Sequence, residues 1–332
     1  MKIFTLIIGL ICLLSPVMGN TGGYLSFEYT NGQKDSDVYG KTFQNAEVGI
    51  IFSGFSQGFE YTAEMSLDQH RHFRIEQAWV GYSASEQINL RFGVYPIPFG
   101  RYNQINRPHR TILVNTPLAV EYFFPNRWKN LGVLLEGRIS GVFYSAYIGN
   151  GLAEAEGLNA SQTFQDNNRD KCQGGKIGLA LSDGLGLAYS RYWGKYDDAG
   201  ERDLRLEALD GRWVIAGIQF LYERIWGIIE NPGGYPDGTA KGYSVQMSFD
   251  IDRFRPFACY QEAVYEDRYH GPGFLKDISA GQGISLSKKR WAAGVVYFLA
   301  SNVVFKLEYD WNKDTEAGRK DNVLVIQVAL DF

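Results

Sequence analysis

Cysteine and histidine are almost absent from this chain. Three cysteines and four histidines occur in 332 residues. The cysteines are too few and too scattered for a disulfide scaffold. Cys12 lies in the N-terminal apolar run, Cys172 and Cys259 are far apart, and none belongs to a metal-like cluster. No helix-borne His-Glu-x-x-His, glycine-rich phosphate cradle or Ser/His/Asp signature occurs. His70 and His72 share one short loop and read as a solvated turn, which leaves a rim-active hydrolase as the weakest alternative. Thirty-three Lys and Arg against 37 Asp and Glu give −4, so no nucleic-acid partner is expected. Past the N-terminus no apolar stretch approaches the roughly 18 residues of a transmembrane helix. With a mean hydropathy of −0.23, a helical membrane protein is excluded. A membrane protein built of strands is not.

What is present begins with a leader. Residues 1–19, MKIFTLIIGLICLLSPVMG, carry Lys2, an apolar run, a Ser15-Pro16 break and compact residues before position 20. That three-part layout is a cleaved secretory signal peptide; the alternative is a buried N-terminal helix. Cys12 lacks the small residues that precede a lipidated cysteine. Losing the leader, with its single lysine, leaves a net charge of −5.

Thereafter one pattern recurs with period two. Leu324, Ile326, Val328, Leu330 and Phe332 share a face opposite Gln327, Ala329 and Asp331. Val303, Phe305, Leu307, Tyr309 and Trp311 likewise oppose Lys306, Glu308 and Asp310. Such alternation marks strands with one apolar and one polar face. Sixteen strands are expected, near 24–29, 45–52, 57–67, 73–82, 87–94, 131–138, 142–149, 174–181, 185–193, 203–210, 213–226, 241–250, 255–265, 286–298, 303–311 and 322–332. Those near 73–82 and 255–265 alternate poorly, so their register stays open. Every second connection is a tight turn: Ser53–Ser56, Ser83–Glu86, Ser182–Gly184, Gly211-Arg212 and Leu299–Asn302 among them. The others are mostly long. An even-stranded outer-membrane barrel has this asymmetry, with turns at the periplasmic end and loops outside. Closure is forced, because unpaired strand edges cannot sit in lipid. Tyr24, Tyr82, Trp193, Trp213, Trp226, Tyr297 and Trp311 fall towards strand ends and are expected in aromatic girdles, with ordinary core as the alternative for each.

Three stretches carry a family resemblance. Leu90-Arg-Phe-Gly-Val-Tyr-Pro-Ile-Pro-Phe-Gly-Arg-Tyr-Asn103 resembles the strand-to-loop segment of the phosphate-selective porin O/P family of Gram-negative outer-membrane porins. Trp128–Val133 and Asn302–Tyr309 resemble later segments of that family. The terminal Leu330-Asp331-Phe332 is similar to the signal read by the outer-membrane assembly machinery, which assigns that role to Phe332. The resemblance implies a sixteen-stranded homotrimeric porin whose third long loop folds inward.

The third long connection, 95–130, is the longest expected, and loops of that length are usually functional or disordered. It holds Arg101, Arg107, Arg110, Arg127 and Lys129 against one acid, Glu121. It also holds five of the ten prolines, which stiffen it. A stiff basic segment in a lumen would attract anions and repel cations. The alternative has these side chains facing outward, onto lipopolysaccharide phosphates or neighbouring subunits. The expected lumen wall is mostly acidic, with Glu60, Glu64, Glu136, Asp250, Glu308 and Asp310, against Arg91, Arg138 and Lys306. A basic loop facing an acidic wall implies a transverse field and weakens the case for phosphate specificity. Asp166–Asp170 reads as a solvated polar loop rather than a cation site.

The expectation is therefore an all-β transmembrane antiparallel β-barrel of sixteen strands, with residues 1–19 as signal peptide and 20–332 as barrel. Residues 95–130 are its inward-folded constriction loop. The expected function is passive diffusion of small hydrophilic solutes through the outer membrane, leaning towards anions such as phosphate. Expected partners are outer-membrane lipids and lipopolysaccharide, the assembly machinery and copies of the chain; no cofactor or metal is expected. A loop-plugged structural or adhesin barrel is the main alternative.

Overall fold

The computed structural model describes residues 19–33, 40–155, 157–182, 184–233, 235–267, 286–315, 318 and 320–332. The expected leader, apart from Gly19, lies outside them. Alternating segments form sixteen strands. The first eight are β1 (Gly19–Gly32), β2 (Thr42–Ser56), β3 (Phe59–Asp68), β4 (Phe73–Ser85), β5 (Ile88–Pro96), β6 (Lys129–Ile139), β7 (Val142–Gly149) and β8 (Cys172–Ser182). There follow β9 (Leu185–Lys195), β10 (Asp203–Ile215), β11 (Ile218–Ile229), β12 (Gly238–Phe249), β13 (Phe254–Asp267), β14 (Ser287–Ala300), β15 (Val303–Asp314) and β16 (Val323–Asp331). Each strand pairs antiparallel with its sequence neighbours, and β1 pairs with β16 to close the barrel. Gly23 and Phe332 exchange backbone hydrogen bonds of 2.9 and 3.0 Å at that seam. The transmembrane barrel and its strand number are as expected.

Side chains partition by alternation. On β15, Lys306, Glu308 and Asp310 are buried inward while Phe305, Leu307 and Trp311 are exposed outward. Large apolar side chains stand exposed around the barrel, among them Phe59, Val80, Phe92, Ile177, Val245 and Phe305. Water would penalise that surface heavily; lipid does not. Tyr24 is a correction to the expected girdle. It points inward, is fully buried, and its ring lies 5.3 Å from that of His109. Tyr82, Trp193 and Trp311 are exposed on the outer face.

Two hairpin turns lie wholly outside the residues expected for them. Ser53–Ser56 continues β2, and the turn is Gln57-Gly58, with φ of 52° and 87°. Gly211-Arg212 lies inside β10, and the turn is Ala216-Gly217, with φ of 51° and 79°. Positive φ at both central residues is the type I′ geometry that matches strand twist. Within β10 the Trp213 ring occupies the space that a side chain at Gly211 would need.

The two irregular strands have distinct causes. In β4 a bulge shifts the register between Glu64 and Met65, and both Glu76 and Gln77 hydrogen-bond to inward-facing groups. In β13 the inward face is itself apolar, with Phe257, Cys259, Ala263 and Tyr265 buried. Both faces therefore read as hydrophobic. What covers that inner face is the chain between β5 and β6.

Candidate functional site

The segment from Ile97 to Trp128 lies inside the barrel, where it forms two short helices, α1 (Tyr102–Ile105) and α2 (Leu118–Phe123). Its two ends are cinched by Asn103. The Asn103 amide donates to the Ile97 and Trp128 carbonyls at 2.9 and 3.0 Å and accepts from Trp128 N–H at 2.7 Å. Phe99, Phe124 and Trp128 pack together with centroids 5.4 Å apart, and Trp128 meets Tyr192 of β9 at 4.8 Å. These aromatics turn the chain away from the wall and into the lumen.

One side of the segment is greasy. Leu118, Ala119, Val120 and Phe123 of α2 are buried in a cluster with Leu206, Ala208, Ile225, Ala240 and Ala263 of the wall. A side chain at Gly242 would meet Ala119 and Phe123, so glycine permits the close approach of α2 to β12. Along β9 to β13 the loop is thus held partly by apolar contact.

The remaining contacts are polar and encircle the barrel. Gly100 has a positive φ of 59°, and a Cβ there would collide with the Glu223 carboxylate. Its N–H donates to Ser190 Oγ at 2.9 Å, and its carbonyl accepts from Lys176 Nζ at 2.7 Å. Glu223 accepts from the N–H groups of Arg101 and Tyr102 at 3.0 and 3.1 Å. Glu308 accepts from Val114 and Asn115 N–H at 2.7 and 3.2 Å. Lys306 Nζ donates to the Pro108 carbonyl at 2.6 Å, and Asn115 donates to Asp310 at 2.7 Å. Gln261 accepts from Leu118 N–H at 3.0 Å, while Arg290 donates to the Thr116 carbonyl at 2.9 Å.

Three of the five basic residues expected in the constriction pair with wall carboxylates. Arg107 forms a buried ion pair with Glu64, one of whose two contacts is 3.0 Å. Arg127 pairs with Glu47 and lies 3.5 Å from Glu76, to which Lys129 donates at 2.7 Å. Arg101 is partly buried beside Asp210, Arg212 and Glu223, and burial pulls its pKa down. Arg110 is exposed and donates to His109 Nε2 at 3.2 Å. The expected transverse field is thus replaced by contact ion pairs, because the loop is seated on the wall rather than suspended across water.

The wall residues divide similarly. Lys306, Glu308 and Asp310 are at most 1% exposed and lie beneath the loop, so they hold it rather than line water. Arg91 pairs with Glu136 at 2.9 Å and sits 4.4 Å over the Trp79 ring. Glu60 accepts from Ser83 at 3.1 Å, Asp250 pairs with Arg255 at 2.5 Å, and Arg138 is exposed. The backbone N–H groups of His70 and His72 donate to Asp68 at 2.9 and 3.0 Å, so Asp68 caps their turn. Sequence reasoning missed Glu47, Glu76, Glu223, Gln261 and Arg290. Only Glu76 lay beyond any sequence signal, since strict alternation in β4 would turn it outward.

Polar space remains on both sides of the seated loop. Towards the long loops a cavity of about 350 Å³ is lined by Glu28, Asp68, Arg74, Glu76, Arg127 and Lys129, among others. Towards the short turns a second, of about 740 Å³, is lined by Asn89, Arg91, Gln104, Glu136, Arg138 and neighbours.

His109 is expected to make the seat sensitive to acid. Burial and the adjacent Arg110 charge push its pKa down to about 4. Above pH ~6.5 the ring is neutral whether or not the loop is seated; below it, the released ring takes a proton that the seated ring refuses. Seating is therefore expected to weaken from pH about 6.5 towards 4. Single-channel flicker should rise over this range in the native protein and stay flatter in His109→Gln. Identical pH profiles would reject the linkage.

Known proteins share this architecture. Sequence detects little: no protein-family model matches the chain. An uncharacterized protein of Aquifex aeolicus (strain VF5) is 25% identical over 146 residues, 41% of this chain and 33% of that protein. The matched region thus spans a third of that relative. Structures match nearly end to end. OmpF of Salmonella typhi, in complex with daunomycin, superposes with a TM-score of 0.68 at 11% identity, covering 95% of this chain and 97% of that one. The fold is that of the outer-membrane porins. An anion-selective porin from Comamonas acidovorans gives 0.67 at 10% identity, with 95% and 99% covered. The trimer form of OmpT from Vibrio cholerae gives 0.66 at 10%, again with 95% and 99% covered. At these identities the likeness is one of fold alone.

Proposed function

We propose that this porin-like barrel is a passive outer-membrane channel of a Gram-negative bacterium for small hydrophilic solutes, with a slight lean towards anions. The reading is carried by a closed apolar-skinned barrel in which a polar, proline-stiffened loop narrows the lumen between two polar cavities. Narrow, charged sections govern passage through pores. Most loop cations are matched by wall acids, so the lean is weak and rests on Arg101 and Arg110. Phosphate is one anion among others on this reading. The leader directs export, and Phe332 serves assembly.

A homotrimer is the assembly proposed. The outward positions of β1 to β7 carry no charged side chain among the described residues, which suits contact with another copy. The dry packing of α2 favours a second reading, a plugged barrel acting through its surface.

Purified protein in a planar bilayer is expected to give discrete conductance steps. In a salt gradient the reversal potential should show a small anion preference, and Arg101→Gln/Arg110→Gln should move it towards cations. Bilayers silent across independent preparations would overturn the channel in favour of the plugged barrel. An unmoved reversal potential would remove both arginines from the path.

A further inference from the structure

The outer face is divided by charge. Alternation places outward-facing charged side chains only on β9 to β15 among the described residues: Arg191 and Lys195, then Asp203, Arg205, Glu207, Arg224, Lys241, Glu262, Glu266, Lys289 and Lys313. They lie in the long-loop halves of their strands. Beneath them the outward positions are apolar, including Leu187, Phe220, Val245 and Met247. A charge at this height meets lipid head groups, not hydrocarbon.

Two grooves run down this sector. One, of about 500 Å³, has Gly175 in its floor and Ile177, Tyr189, Arg191 and Trp193 around it. The other, of about 450 Å³, is lined by Tyr222, Arg224, Lys241, Tyr243 and Val245. Between them stands a ridge formed by Tyr189 and Trp226, whose centroids are 6.4 Å apart. The first groove therefore pairs an apolar trough with Arg191 at its upper end, and in the second Arg224 and Lys241 stand beside Glu262 and Glu266.

The cations are only partly matched. Arg191 Nε is 3.7 Å from Glu207, with its side chain 52% exposed. Lys241 meets Glu266 at 2.5 Å, and Lys289 meets Glu262 at 3.3 Å. The Arg224 guanidinium lies 5.7 Å from the Trp226 ring centroid, and no described ion pair holds it. Guanidinium forks suit phosphate oxygens, which accept two parallel hydrogen bonds.

We propose that this face is a binding site for a phosphorylated membrane lipid, whose acyl chains lie in the two grooves beside the Tyr189–Trp226 ridge. Arg191 takes a phosphate at the first groove; Arg224 and Lys241 take one at the second. The first groove borders β7 at Tyr144 and the rest of the sector lies across the barrel from β1–β6, so lipid and a second copy of the chain seated on β1–β6 need not compete. The proposal rests on the outer-membrane reading, because it requires a leaflet rich in phosphorylated lipid on the long-loop side.

The test uses the full-length barrel in neutral detergent and native mass spectrometry, with bisphosphorylated lipid A, its monophosphorylated form and phosphatidylcholine as probes. The bisphosphorylated lipid should be retained best. Arg191→Ala/Arg224→Ala/Lys241→Ala should weaken its retention on the order of 100-fold, from roughly a factor of five per basic contact. Arg138→Ala, outside this sector, should leave retention unchanged, and inorganic phosphate at millimolar concentration should not displace the lipid. Heat-modifiable migration confirms that each variant is a folded barrel. Equal retention of the three lipids, or undiminished retention by the triple variant, overturns the proposal. So does a changed oligomeric state with retention intact, which would assign the face to another copy of the chain. Conductance steps without lipid discrimination would sink this inference and leave the channel reading standing.

Discussion

Excising residues 101–126, with a short Gly-Ser linker across the gap, is expected to raise single-channel conductance several-fold while the barrel still forms. Each strand pairs with its neighbours through backbone hydrogen bonds that do not involve the loop. The loop instead fills the lumen, against the dry wall of Leu206, Ala208, Ile225 and Ala240. Its removal also uncovers Lys306, Glu308 and Asp310, which would then face water. Rehydrating these charges offsets the hydrogen bonds they lose, whereas wetting the apolar wall does not. Each large side chain that loses its cover forfeits up to about 1.5–3 kcal/mol. Barrel stability should therefore fall while conductance rises. Unchanged conductance with a folded barrel would place the narrowest section elsewhere.

The second large effect concerns the Arg107–Glu64 pair. Glu64 is 2% exposed and its other side-chain donor is Gln77, at 2.8 Å. Arg107→Ala leaves that carboxylate buried with a single neutral partner; Glu64→Ala strands the guanidinium instead. Removing one partner from a buried pair typically costs about 3–5 kcal/mol. Here the cost falls on loop seating, because β3 keeps its backbone pairing with β2 and β4. Each single variant should flicker between low and high conductance and become sensitive to trypsin at Arg110. The double variant should be quieter than either single one, since no charge is left unpaired. Strictly additive effects in the double-mutant cycle would show that the pair does not hold the loop.

The contrast between the two irregular strands shows where sequence reasoning stops. In β4, one inserted residue at Glu76 breaks a two-residue period, and no local feature announces it. In β13, the period is intact but masked, since Ala263 packs with α2, and Phe257 and Cys259 with Leu113, rather than facing water. Alternation reports which face a residue takes. It does not report what covers that face. Tyr24 was legible by that rule, since it shares the parity of Ser26, Glu28 and Thr30, which turn inward.

Of the candidate site, the loop was visible as the longest, most basic and most proline-rich connection. The acid that each base meets was not visible. Glu64 and Arg107 are 43 residues apart, and Glu47 and Arg127 are 80. Such pairs depend on barrel closure, strand register and one bulge acting together.

The sequence by itself determined the barrel, its sixteen strands, the end that carries the long loops and the loop large enough to enter the lumen. These follow from a two-residue period and from connection lengths, both local properties. Only the tertiary structure decided that most of the loop's charges meet wall acids, that α2 packs on an apolar part of the wall, and that outward-facing charge among the described residues is confined to β9–β15. The reason is physical: local pattern sets the direction of a side chain, but its partner is set by which distant strand the closed barrel brings beside it.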